Sequence, residues 1–263
     1  MNIQFILPDP AVASYVSSIV VMENNNIFRQ AVLPLIARGY PSITFQLTDP
    51  RLITDPANKP DTLVLYGQNI KPIELYVAGH VSIIAYFLYP HVLKTLFGPD
   101  ARELTDISMD ISLTEPARGM SLKEQLVNAT SLAQRLQLLN SYILKLAAPR
   151  KKYTSEAIAF ATRIIQHKGG LASLPAIQKE LCVTERTLQR LFESHVGVSP
   201  KTFSRICQFH SALQQLSRNN FSGMIDVAYT NGYADQSHLI RAFKEFTKYS
   251  PLEYQKAAAD FPG

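Results

Sequence analysis

The chain has 263 residues, 46% of them apolar, a formal net charge of +5 and two cysteines. That length suits two domains with real cores. The cysteine count excludes a disulfide scaffold, and the longest apolar run, Val81–Tyr89, is too short to cross a bilayer. The charge is uneven: residues 1–150 balance 12 Lys/Arg against 12 Asp/Glu, while residues 151–263 carry 14 against 9, the whole excess. A basic balance confined to one half points to a phosphate-bearing partner for that half. The opening MNIQFILPDPAVASYV lacks a basic segment leading into an apolar run, so a cytoplasmic protein without a membrane partner is expected.

Taken in order, residues 1 to about 90 read as strands. Ser18–Met22 is short and β-branched, and Ser42–Leu47 alternates, with Ile43, Phe45 and Leu47 on one face. Thr62–Tyr66, Ile73–Ala78 and Val81–Leu88 follow, separated by Pro, Gly, Asn and Asp turns. The last is apolar on both faces and is expected between two layers, in an antiparallel β sandwich or barrel. Tyr40, Phe45, Tyr66, Tyr76, Tyr86, Phe87 and Tyr89 could line an apolar pocket, but such residues more often form plain core.

The period changes near Pro90. Pro90–Phe97 reads as a short helix stopped by Gly98-Pro99, and Ser121-x-x-Glu124 has the form of a capping box. In Ser131–Ala147 the residues Leu132, Leu136, Leu139, Ile143 and Leu146 make a heptad seam of barely two repeats. It fits a helix packed on its own domain, or a homodimer contact. Pro149-Arg150-Lys151-Lys152 marks the boundary, giving an N-terminal β-rich effector or dimerisation domain (1–148) with helices at its end and a C-terminal DNA-binding domain (149–263).

The second half carries a duplication. TLQRLFESHVGVSPKTF (187–203) and HLIRAFKEFTKYSPLEY (238–254) align at an offset of 51, matching Leu188 with Leu239, Arg190 with Arg241 and Phe192 with Phe243. After a helix over about 155–168, each copy has a short apolar helix, a turn and an amphipathic second helix, which is a helix-turn-helix, at about 173–196 and 222–246. Thr184 and Asp235 are the N-cap candidates. Ser199-Pro200 opens a long helix to about Ser217, a spacer of roughly 28 Å at 1.5 Å per residue. The fold class is therefore α+β in two domains, the second an all-α tandem helix-turn-helix.

The arrangement T-x-x-T-L-x-R-x-F…G-V-S-P, a long helix, A-x-x-x-G-Y-x-D-Q-S-H-x-x-R-x-F-K and S-P-x-x-Y resembles the AraC/XylS-type bacterial transcription regulators over about residues 151–257. The first half resembles, less specifically, the sensor domains of such regulators, most in Tyr86–Asp106. The chain departs from the pattern at Gln178 (usually a small alanine), and at Cys182 and Lys248 (usually glycines). The resemblance implies a cytoplasmic regulator, activator or repressor, with double-stranded DNA and RNA polymerase as partners and a first half that senses a small-molecule effector, dimerises or does both. The alternatives are a barrel-type enzyme with an accessory DNA-binding tail and a non-specific architectural DNA binder.

In the major groove arginine reads guanine and glutamine reads adenine. The DNA-binding candidates are Thr184, Glu185, Arg186, Gln189 and Arg190 in the first unit, Lys201 on the long helix, and Gln236, Ser237, His238, Arg241 and Lys244 in the second. Ile240 is placed to touch a thymine methyl, and Lys201, Thr202, Lys244 and Lys248 to grip phosphate. The alternative is that Arg190 and Arg241 pair with acidic neighbours. No nucleophile elbow, phosphate loop, dinucleotide fingerprint or metal-ligand spacing occurs, so no catalytic residue, metal or cofactor is expected.

Overall fold

The structure is a computed structural model; it describes residues 2–48, 61–148, 156–218 and 221–260, with backbone alone at 25–35 and 257–260. The boundary motif Pro149–Lys152 lies outside the described residues.

The first half is built on one six-stranded sheet in the order β1-β2-β5-β3-β4-β6, antiparallel throughout. The strands are β1 (Asn2–Ile6), β2 (Val16–Leu35), β3 (Ser42–Leu47), β4 (Leu63–Tyr66), β5 (Ile73–Leu88) and β6 (Ser108–Asp110). Alternation along β3 places Ile43 and Phe45 under the helical layer. The segments expected as Ile73–Ala78 and Val81–Leu88 are one strand, and Gly79 (φ +69°) sits where its register with β2 shifts. A left-handed glycine at a bulge lets a strand bend without ending. As expected, β5 is covered on both faces: Ile84, Tyr86 and Leu88 meet the helices, while Val81 and Ile83 join Leu75 and Val77 in a separate cluster.

Four helices close the first layer: α1 (Leu93–Phe97), α2 (Glu115–Arg118), α3 (Leu122–Asn128) and α4 (Leu132–Ala147). Gly98 ends α1 in a left-handed turn. The Ser121 capping box does not form, because Ser121 has φ +47° and its side chain makes no cap bond. Ser131 caps α4, accepting from the Gln134 amide at 3.2 Å.

The heptad seam on α4 is core. Leu139, Ile143 and Leu146 are fully buried among Ile84, Leu122 and Leu126, and Leu132 and Leu136 pack against the same cluster. The burial favours the reading of a helix packed on its own domain over a homodimer contact through Leu132, Leu136, Leu139, Ile143 and Leu146. Phe45, Tyr66 and Tyr86 are likewise buried, and the Tyr86 hydroxyl is placed 3.0 Å from Asn140 Oδ1, to which it donates.

The second half contains α5 (Glu156–His167), α6 (Leu174–Glu180), α7 (Glu185–His195), α8 (Pro200–Ser217), α9 (Met224–Thr230), α10 (Gln236–Thr247) and α11 (Pro251–Asp260). Ser250 and Glu253 form a reciprocal capping box at the start of α11: each side chain accepts from the other's amide, at 2.7 and 3.3 Å. Two clusters make the core, one of α5, α6, α7 and the start of α8, the other of the rest of α8 with α9 and α10. Ile36 and Ala37, between β2 and β3, belong to the second cluster.

Candidate nucleic-acid interface

Each unit is assembled by its sequence in the same way. In the first, Ser173 caps α6, and the turn closes with Val183 N–H bonded to Gln178 O at 3.0 Å. Thr184 then caps α7, accepting from the Thr187 amide at 3.2 Å. In the second, Tyr233 N–H bonds Ala228 O at 2.9 Å, and Asp235 caps α10 by accepting from the His238 amide at 2.7 Å. The turn bonds superimpose at an offset of 50 and the caps at 51, so the second turn is one residue longer.

Cys182 (φ +52°) and Lys248 (φ +69°) occupy left-handed backbone, at the two positions where the family pattern places glycine. A non-glycine residue there costs on the order of 1 kcal/mol, and the turn survives because packing over-determines it. Cys182 is exposed and Cys207 buried, its thiol pushed up to about 12 by burial.

Leu188 and Phe192 anchor α7, and Leu239, Ala242, Phe243 and Phe246 anchor α10, all buried. The helical period then turns the remaining side chains outward. Thr184, Glu185, Arg186, Gln189 and Arg190 are exposed in the first unit, and Gln236, Ser237, His238, Arg241 and Lys244 in the second. Ile240 is half-buried, and Lys201 is exposed on the first turn of α8. Gln189 donates to Glu193 Oε1 at 3.0 Å, and the His238 ring lies edge-on to Tyr233 with centroids 5.2 Å apart. Among the described residues Arg186, Arg190, Lys201, Arg241 and Lys244 make no salt bridge. The alternative pairing of Arg190 and Arg241 with acidic neighbours is therefore not seen.

The two units are locked to one another through α8. Gln208 Nε2 donates to Asn231 O at 2.9 Å, and Asn231 Nδ2 donates to Gln215 Oε1 at 2.6 Å. Gly232 (φ +72°) has Leu171 so close that a Cβ would lie 2.4 Å from it. The 18 residues of α8 span about 27 Å at 1.5 Å per residue.

Sequence reasoning missed one feature. An open cleft of about 430 Å³ lies between the end of α5, the end of α8 and the turn of the second unit, lined by His167, Lys168, Ser211, Arg218, Thr230 and Asn231 among others, with no carboxylate. Lys168 and Arg218 are exposed and, among the described residues, free of salt bridges. Extending the duplication backward at offset 50 aligns these two, a signal present in the sequence but hidden by the one-residue change in the turn. Among the described residues no group of three His, Cys, Asp or Glu is placed to hold a metal, and no helix is long and apolar enough to cross a membrane.

Two helix-turn-helix units of one design, joined by one long helix and each presenting an exposed arginine from its second helix, have the architecture of a tandem DNA-binding domain. Residues 177–257 match the family described as a helix-turn-helix domain, and residues 4–110 match a domain of unknown function (DUF6597). An uncharacterized HTH-type transcriptional regulator of Haemophilus influenzae is 30% identical over 70 residues, 27% of this chain and 23% of that protein. The chain thus spans about a quarter of the length of the curated relative it matches. Crystal structures of ToxT from Vibrio cholerae are also similar. The unsaturated fatty acid-bound wild-type form has a TM-score of 0.45 at 15% identity, over 90% of this chain and 93% of that one. A 1.65 Å structure has 0.44 at 14%, over 97% and 98%. Residues 177–257 thus carry a helix-turn-helix domain.

Proposed function

We propose that the protein is a sequence-specific transcription regulator that binds double-stranded DNA through α7 and α10, under the control of its N-terminal domain. The observation that carries this is the pair Arg190 and Arg241, exposed at equivalent positions and, among the described residues, in no salt bridge, each flanked by buried leucine and phenylalanine. Arg186, Gln189, Arg190, Gln236, Ser237, His238 and Arg241 are assigned to base edges, with Thr184, Glu185, Lys201 and Lys244 at the periphery of the contact. A spacer of about 27 Å approaches the roughly 34 Å between successive major-groove faces, so both helices address one side of the duplex. The N-terminal domain takes a small-molecule effector, and RNA polymerase is the downstream partner.

The full-length protein is the right object to test, because Ile36 and Ala37 complete the second unit's core. Duplexes selected from a random pool should converge on two short segments about one helical turn apart. Affinity should fall steeply with salt as lysine and arginine displace condensed counterions. A pool that shows no preference, or an affinity indifferent to salt, would overturn the reading.

A further inference from the structure

The last turn of each recognition helix meets the N-terminal domain, and the two copies meet it differently. Beneath α7 lies the stretch from Tyr89 to Asp106. Ser194 Oγ donates to Asp100 Oδ1 at 2.7 Å, and Lys94 Nζ donates to Ser194 Oγ at 2.6 Å while pairing with Asp100. Thr105 Oγ1 donates to Gly197 O at 2.8 Å. A Cβ on Gly197 (φ +96°) would lie 2.6 Å from Thr105 Oγ1 and 2.8 Å from Ala101 O, so glycine is what admits this approach. The seam is closed further by His195, which is buried.

The equivalent of Gly197 at offset 51 is Lys248, which caps α10 in the same left-handed backbone. Its neighbourhood is open: Lys248 is exposed, and its Nζ reaches Glu74 Oε1 at 3.0 Å. Both partners of that pair are largely solvated, which makes it a weak tether. The first recognition helix is thus packed from behind at its C-terminal turn, while Arg186, Gln189 and Arg190 on its earlier turns stay open.

Building on the regulator reading above, we infer that Lys94, Asp100 and Thr105 are positioning residues for DNA recognition: they fix α7 from the N-terminal domain, so the segment read by α7 depends on this contact and the segment read by α10 does not. This contact therefore acts on one half of the recognition surface, whereas Ile36 and Ala37 pack into the core of the second unit.

The test uses full-length Thr105→Val, Thr105→Ser and Asp100→Asn. Each is measured for affinity to a selected duplex and to versions with either segment scrambled, and for thermal unfolding. The segment belonging to α7 is the one whose base preference changes in Arg190→Ala. Thr105→Val removes one neutral hydrogen bond at constant shape, a change of about two- to tenfold. That loss should appear only on duplexes that keep the α7 segment, with Thr105→Ser restored to wild-type affinity. Asp100→Asn, at an exposed site, should lose in the same direction. Equal losses on both segments, no rescue by serine, or a gain in affinity would overturn the proposal, the last by making the contact a brake. If the unmodified protein selects no duplex at all, it is the regulator reading that has failed.

Discussion

Changing Leu139 decides between the two roles a leucine seam on α4 can have. Leu139 is fully buried with Tyr142 and Ile143 beside it, in the cluster that joins α4 to the sheet. Leu139→Ala removes the buried side chain and leaves a cavity that rigid neighbours close only in part, which costs about 2–5 kcal/mol. For a domain of this size that lowers Tm by roughly 5–20 °C. Leu139→Lys asks the same site to hold an ammonium with no counter-ion, a penalty of several kcal/mol comparable to total stability, so the N-terminal domain should not fold. Leu144→Ala on the same helix is the control; at 41% exposed it should stay within about 0.5 kcal/mol. Urea midpoints with sedimentation velocity read the outcome. A Leu139→Lys protein that is folded and monomeric, beside a dimeric parent, would refute the burial argument and return the seam to a subunit contact.

Arg190→Ala and Arg241→Ala should each relax preference at one short segment of the selected duplex, by about 1–3 kcal/mol of discrimination. Lys244→Ala should weaken all sequences alike and flatten the salt slope; uniform losses for the arginines would move them to the phosphates. Lys168→Ala and Arg218→Ala should behave like Lys244→Ala if the cleft between the units lies against the DNA backbone, and unchanged salt slopes would remove them from the contact. Burial, together with His195 in one case and Arg38 in the other, pushes His91 and His210 down to about 4. Both stay neutral in the fold while the unfolded chain protonates near 6.5, so stability is full above that pH and is lost as pH falls toward 4. The slope is about 1.4 kcal/mol per pH unit for each histidine. Urea midpoints from pH 7.5 to 4.5 should show it, and His91→Gln should remove one share; a flat profile would contradict the burial.

What the sequence made legible follows from how local each cause is. Thr184, Ser199 and Asp235 cap the helices expected of them, because a cap is decided within four residues. The long helix begins and ends as its Ser-Pro start and apolar spacing indicate. Strand β1 went unread because, as an exposed edge, it has no alternating burial to display. Strand β2 continues past Met22 through Glu23-Asn24, a composition that reads as a turn until β5 is there to pair with it. The heptad on α4 had a correct period and an undetermined partner, since spacing fixes which side chains share a stripe but not what covers them. The Ser194–Asp100 and Lys248–Glu74 contacts join residues 94 and 174 positions apart, and no local pattern announces them.

The duplication itself separates what a helix-turn-helix requires from what its surroundings select. Leucine, arginine and phenylalanine persist at 188/239, 190/241 and 192/243, where the internal packing and the outward face are the same in both copies. The copies diverge where each meets something different: Gly197 under Ala101 and Thr105, Lys248 reaching toward Glu74, Cys182 exposed, and Gly232 pressed against Leu171. A shared backbone conformation at 197 and 248, filled by glycine in one and lysine in the other, shows that the left-handed turn belongs to the unit and the residue in it to the neighbour. Of the two equivalent caps, glycine is kept at 197, where Ala101 and Thr105 of the first half approach closely enough to leave no room for a side chain.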